Sequence, residues 1–203
     1  MHMAHDFFHT IETLGEAEFR DRGSRFIAYA FPIGDTGVFK NILAEKKKEH
    51  PKAVHHCFAY RLGFTGDQFR ANDDGEPSGS AGRPILGQID SRGLTDTAVV
   101  VVRYFGGTLL GIPGLIQAYG TVASLALDTC RVVQKPVTDP FELLFDYRFL
   151  NEVMRICKQH DIFILDRDMG LFCRFRIAVP RSSSAAILQK FSDFPHLEIN
   201  KLV

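Results

Sequence analysis

"TAVVVVRYFGGTLLGIPGLIQAYGTVASLAL", residues 97–127, joins an apolar run, a glycine-rich turn and a helical repeat without interruption. The run "TAVVVV" is apolar at successive positions, so both faces of the strand it predicts are covered. From Gly114 to Cys130, Leu115, Ile116, Tyr119, Val122, Ala123 and Ala126 recur at helical spacing. Between strand and helix, Phe105 to Gly120 holds five glycines and one proline. Ordering glycine costs conformational entropy, so such a cluster supplies positive φ or close backbone approach. The turn is placed as phosphate loops are, but no lysine follows the glycines as in GxxxxGK[ST], and it is not GxGxxG. Arg103, just ahead of Gly106 and Gly107, is the nearest fixed cation.

Upstream, "IETLGEAEFRDRGSRFIAYAFPIGD" reads as two extended runs around the turn "DRG". Asp35 or Thr36 then caps a helix, "TGVFKNILAEKKKEH", whose stripe is Val38, Phe39, Ile42 and Leu43. Lys46, Lys47 and Lys48 in its last turn complement the helix dipole. "AVHHCFAYRLG" alternates as a strand, which sends neighbouring His55, His56 and Cys57 to opposite faces and excludes one shared metal site. "ILGQIDSRG" is a short helix stopped by Gly93. This half is α+β.

Ahead of that short helix lies the densest polar segment, "NDDGEPSGSAGRP". Asp73, Asp74 and Glu76 offer hard ligands for Mg²⁺, while Asp and Asn also start turns and Ser78 or Ser80 can cap the next helix. Ser78, Gly79, Ser80 and Gly82 present backbone N–H groups suited to an anion, with Arg83 beside them.

Near residues 134–140, "QKPVTDP" has two prolines and no periodicity and reads as a linker dividing a domain at 1–135 from one at 138–203. Beyond it the order is strand "FELLFDY", helix "RFLNEVMRICKQH", strand "IFILD", turn "RDMG", strand "LFCRFRIAV", helix "RSSSAAILQKFSDF", strand "LEINKLV". That is the ferredoxin-like βαββαβ. Alternation sets Leu171, Cys173, Phe175, Ile177 and Val179 on one face and Phe172, Arg174 and Arg176 on the other, the arginines opposite Glu142 and Asp146.

The 203 residues carry 24 basic and 24 acidic side chains, and residues 138–203 hold 9 of each. Bulk charge therefore does not hold the chain to nucleic acid or an anionic membrane. Four scattered cysteines without CxxC spacing fit a reduced compartment. No apolar run approaches the ~20 residues of a membrane span, and "MHMAHDFFH" lacks the regions of a signal peptide, so the expectation is a soluble cytoplasmic protein that contacts no membrane.

"HHCFAYRLG", "DDGEPSGSAGRPIL" and "VVVVRYFGGTLLGIPGLIQAYG", in this order and spacing, resemble the signature of the IMPACT family, whose bacterial members are called YigZ. The resemblance spans about residues 15–130. It implies a first domain with the left-handed βαβ fold of a small-subunit ribosomal protein and the GHMP kinases. It also implies a ferredoxin-like second domain like one in a translation elongation factor. Eukaryotic members of the family regulate translation, and no catalysis is established for it. The positions matching the signature are Asp73, Asp74, Glu76, Ser78, Gly82, Arg103, Tyr104, Gly106, Gly107, Gly111, Gly114, Ala118, Tyr119 and Gly120, with His56. Pro113 and Gln117 depart from it, where the family has Gly and a basic residue.

Two functions are expected from these features. One is a non-enzymatic binding module in translation, contacting RNA, a ribosome-associated factor or a protein partner through His56, Asp73, Asp74, Glu76, Ser78, Ser80, Gly82, Arg83, Arg103, Tyr104, Gly106 and Gly107, without a cofactor. The other is a Mg²⁺-dependent hydrolase or kinase-like enzyme that holds its ion on Asp73, Asp74 and Glu76.

Overall fold

The computed structural model describes residues 6–202; the opening "MHMAH", with His2 and His5, lies outside them. The chain divides into one unit at Phe8–Lys135 and another made of Pro136 onward with Asp6 and Phe7.

In the first unit the order is β1 (Phe7–Ile11), β2 (Gly15–Asp21), β3 (Ser24–Pro32), α1 (Thr36–Glu49), β4 (His55–Leu62), β5 (Gln68–Asn72), α2 (Gly82–Ser91), β6 (Thr97–Tyr104), α3 (Gly111–Asp128) and β7 (Val132–Pro136). Five strands form one sheet in the order β2-β3-β6-β4-β5, every neighbour antiparallel. Since β3 and β4 both run against β6, they are parallel to each other, and α1 joins them in a βαβ crossover over the central strand. A second crossover, β5–α2–β6, spans β4 in the same way.

The run that opened the sequence reading is this central strand, and its two faces feed two cores. Val100 and Val102 pack with Ile27, Tyr29, Phe58, Tyr60 and the buried Phe39 of α1. Val99 and Val101 pack with Phe26, Ala28, Cys57 and Ala59 under Ile85 and Ile89 of α2 and Leu115, Tyr119 and Val122 of α3. Asp35 caps α1, its Oδ1 accepting from the N–H groups of Gly37 (2.6 Å) and Val38 (2.9 Å).

Several local readings are corrected. α3 begins at Gly111, where φ is +72°, and Pro113 sits in its first turn, where a missing N–H breaks no helical bond. Ile116 is 44% exposed and not part of the buried stripe. "QFRAN" is a strand, masked in the sequence by the polar turns around it. "QKPVTDP" is no structureless linker: β7 pairs with β1, and only Val137 separates it from the next strand.

The second unit is β8 (Thr138–Asp146), α4 (Leu150–Gln159), β9 (Phe163–Met169), β10 (Phe172–Pro180), α5 (Ser184–Ser192) and β11 (Glu198–Lys201), with sheet order β11-β8-β10-β9. Cys173, Phe175, Ile177 and Val179 are buried against Val153, Ile156 and Cys157 of α4 and Ile187 and Phe191 of α5. Leu171 does not join them. β9 runs through Met169, so the reversal falls at Gly170 and Leu171, which is 89% exposed, rather than at "RDMG". On the open face Arg174 and Arg176 both lie near Glu142, at 4.0 and 3.9 Å, while Asp146 meets Arg148 instead at 3.7 Å.

Candidate functional site

Arg103, near the end of β6, stands opposite Phe26 of β3 and His55 of β4. From this end of the sheet leave the Arg22–Gly23 turn, the loop from Asp73 to Ala81 and the loop from Phe105 to Leu110. Glu76 ties two of these together. Its carboxylate is buried, and one oxygen accepts from Arg103 Nη1 at 2.6 Å and from the Tyr119 hydroxyl at 2.7 Å. The Arg103 guanidinium lies over the rings of Phe26 and Phe105 and reaches Ser24 Oγ at 3.4 Å, which also accepts from the Gly106 N–H at 3.2 Å. The Cys57 thiol sits 3.0 Å from the Asp73 carbonyl and 3.3 Å from the Tyr119 hydroxyl. Burial pushes both Cys57 and Tyr119 up, which leaves each neutral and neither a ready nucleophile.

The amides before α2 are already filled. Asp73 accepts from the N–H groups of Gly79 (2.9 Å), Ala81 (3.0 Å) and Gly82 (2.8 Å), so it caps α2 from nine residues upstream. Burial works to raise this carboxyl, but the three amide donors outweigh it and hold the group below its ordinary value. Ser80 does not cap the helix; its buried hydroxyl donates to the Pro77 carbonyl at 2.6 Å. Gly82 is required by close approach, because a Cβ there would lie 2.6 Å from the Asn72 nitrogen.

Asp74, at φ +42°, turns away from both neighbours. Its Oδ2 accepts from the His56 backbone N–H at 2.7 Å, and Lys47 stands 3.7 Å from Oδ1. The three carboxylates proposed for Mg²⁺ thus serve three different sets of donors. Among the described residues no group of three or more His, Cys, Asp or Glu comes together to hold a metal ion.

Tyr104 faces the opposite side of the sheet, where His50 bridges its hydroxyl and that of Tyr29, each at 2.8 Å. Burial lowers the pKa of His50 and of His56. Gly106 makes room for the Gly23–Ser24 turn: a Cβ on it would collide with the Gly23 carbonyl carbon and the Ser24 nitrogen. Gly107 meets nothing within 4 Å but holds φ +88°. Of the twelve expected site residues, Ser78, Arg83, Gly106 and Gly107 are exposed, while His56, Glu76, Ser80, Gly82 and Arg103 are buried. Ser24 and His55 were missed. The His55 Nδ1 donates to the Asp74 carbonyl at 2.8 Å, and its Nε2 lies 3.8 Å from Glu76 Oε1. Alternation from Cys57, which shares its face, was the one signal for His55.

A family model described as the Impact N-terminal domain matches residues 22–127. The chain is also 35% identical over 173 residues to IMPACT family member YigZ of Escherichia coli (strain K12), covering 84% of this chain and 85% of that one. The chain belongs to the IMPACT family. Another IMPACT family member, YvyE of Bacillus subtilis (strain 168), is 39% identical over 151 residues, 74% of this chain and 69% of its own. A solved structure described as that of an hypothetical protein superposes at a TM-score of 0.79 with 30% identity, covering 98% of each chain. As an IMPACT protein, this chain carries the DDGEPSGSAG and RYFGG segments as one hydrogen-bonded unit, joined through Glu76 and Arg103. Among the described residues, no helix is long and apolar enough to cross a membrane.

Proposed function

We propose that this IMPACT protein is a non-enzymatic binding module that acts in the regulation of translation in the cytoplasm. Its contact surface is the rim where the two loops meet, and its partner is RNA on the ribosome or a factor bound there. One observation carries the reading: Asp73 bonds within its own loop and Glu76 joins that loop to Arg103, leaving Ser78, Arg83, Phe105, Gly106, Gly107 and Leu109 exposed around them. A rigid loop pair with an outward guanidinium, a hydroxyl and two large apolar side chains suits recognition of a surface. The family's eukaryotic members regulate translation, which supports the setting.

Filter binding of ribosomal subunits over a salt series tests it. Wild type is expected to bind at low salt, and Arg83→Glu to weaken binding and flatten the salt slope by about one unit. No binding at low salt, or an unchanged Arg83→Glu, overturns the proposal. Arg103 is unsuitable for this test because it is buried and paired.

A further inference from the structure

The second unit ends its sheet on β9, an edge strand of seven residues, all exposed except Ile164. Phe163, Leu165 and Met169 are 63%, 60% and 47% exposed, and a depression of about 390 Å³ is lined by Ile164, Leu165, Asp166 and Arg167. Among the described residues no strand pairs with the outer edge of β9, and such an edge with apolar side chains is a template for another strand.

The charges select which strand. Across the open face two rows run Asp168–Arg174–Leu144–Glu198 and Asp166–Arg176–Glu142–Asn200. Both arginines lie near Glu142, and among the described residues no cation is within ion-pairing distance of Asp166 or Asp168. With Asp146 and the Arg148 that meets it, this face gathers five of the nine acidic residues between 138 and 203 and three of the nine basic ones. A neutral domain therefore presents a net negative face, which repels phosphate.

A second copy fits poorly. Two antiparallel edge strands related by a two-fold axis must keep the same face up, so each residue meets one of its own parity. Beyond the irregularity opposite Arg176 and Ile177, a two-fold axis at Asp166 sets Asp166 against its own copy, and one at Arg167 sets Arg167 against Arg167 and Asp166 against Asp168.

We propose that the β9 edge docks an extended segment of another protein carrying basic residues at alternate positions, added as a fifth strand. Its cations face Asp166 and Asp168, and its intervening residues lie on the side of Arg167 and Met169. The full-length chain is titrated with two fluorescein-labelled heptapeptides, one alternating lysine with threonine and one alternating glutamate with threonine. Anisotropy at low salt should show saturable binding of the lysine peptide alone, with amide shifts centred on Phe163–Met169. Asp166→Lys with Asp168→Lys should weaken that binding by about tenfold or more and admit the glutamate peptide. If this variant misfolds, Asp166→Asn with Asp168→Asn must still weaken binding. Arg83→Glu should leave the peptide affinity unchanged, which separates this surface from the loop rim. The proposal is overturned by no saturable binding, by charge variants that bind as wild type does, by shifts outside β9, by an oligouridine that binds there more tightly, or by dimerisation of the chain through β9.

Discussion

Replacing Glu76 by glutamine keeps the side chain's shape and removes its charge. The carboxylate is 3% exposed and the Arg103 side chain 6%, and the Arg103 Nε already lacks a partner. In the variant, a buried guanidinium faces a neutral amide. Removing one partner of a buried ion pair costs about 3–5 kcal/mol. The amide oxygen can still accept from Tyr119 or Arg103, which recovers about 1 kcal/mol. The expected loss is therefore about 2–4 kcal/mol, a large share of the ~5–15 kcal/mol that holds a domain folded. Urea unfolding followed by tyrosine fluorescence reads it, because Tyr29, Tyr60, Tyr104 and Tyr119 lie in Phe8–Lys135 and only Tyr147 lies elsewhere. Adding Arg103→Met to Glu76→Gln removes the orphaned charge and should restore most of the stability. A Glu76→Gln variant within about 0.5 kcal/mol of wild type, or a double variant no better than the single, would refute the view that this pair is a buried clamp.

Gly106→Ala drives a Cβ into the Gly23–Ser24 backbone and should cost about 3 kcal/mol, whereas Gly107→Ala meets only its own φ of +88° and should cost about 1–2 kcal/mol; urea midpoints in the opposite order would discard the close-approach role. Burial lowers the pKa of His50 and His56, so the unfolded chain binds more protons than the folded one as pH drops below about 6.5, and stability should fall there. The melting temperature should thus be lower near about pH 5 than near about pH 7.5, with a smaller difference in His56→Gln; equal slopes in the two proteins would remove His56 from the account. Cys57 is fully buried with its thiol pushed up, so iodoacetamide should label half-buried Cys130 first and reach Cys57 only on unfolding; rapid native labelling of Cys57 would contradict the packing.

What the sequence revealed follows from how each signal arises. The double-sided "TAVVVV" and the βαββαβ order are periodicities, set by which faces are buried, and they survive in the primary structure because burial acts residue by residue. β5 was hidden because it is short and polar, although it pairs with the neighbouring β4, and the Pro136–Thr138 junction because β7 is fixed by β1, far away in the chain. The acidic loop was legible as a site of polar density, but its hydrogen-bond partners were not. Arg103 lies 27 residues from Glu76, and Tyr119 lies 43 away, so no local pattern relates them. Leu171 was misplaced by counting the alternation one residue into a turn, where the period of two no longer applies.

The same distinction explains why glycine-rich loops suggested a phosphate cradle that the fold turns inward. Three amides converge before α2 as they would on a phosphate, yet the anion they hold is Asp73 of the same chain. A phosphate entering there would have to displace a carboxylate held below its ordinary pKa, and would bring its own charge toward Asp74 and Glu76. The second glycine cluster has no competing ligand but points Gly106 into the β2–β3 turn, so its backbone is committed to packing. Both loops therefore use their freedom to seat side chains of the protein itself, and the chemistry left for a partner is the exposed rim: Arg83 and Ser78 on one loop, Phe105 and Leu109 on the other. On the proposed function a partner would be recognised by shape and a few rim contacts, which makes Arg83→Glu, and not any change at the buried acids, the substitution that separates binding from folding.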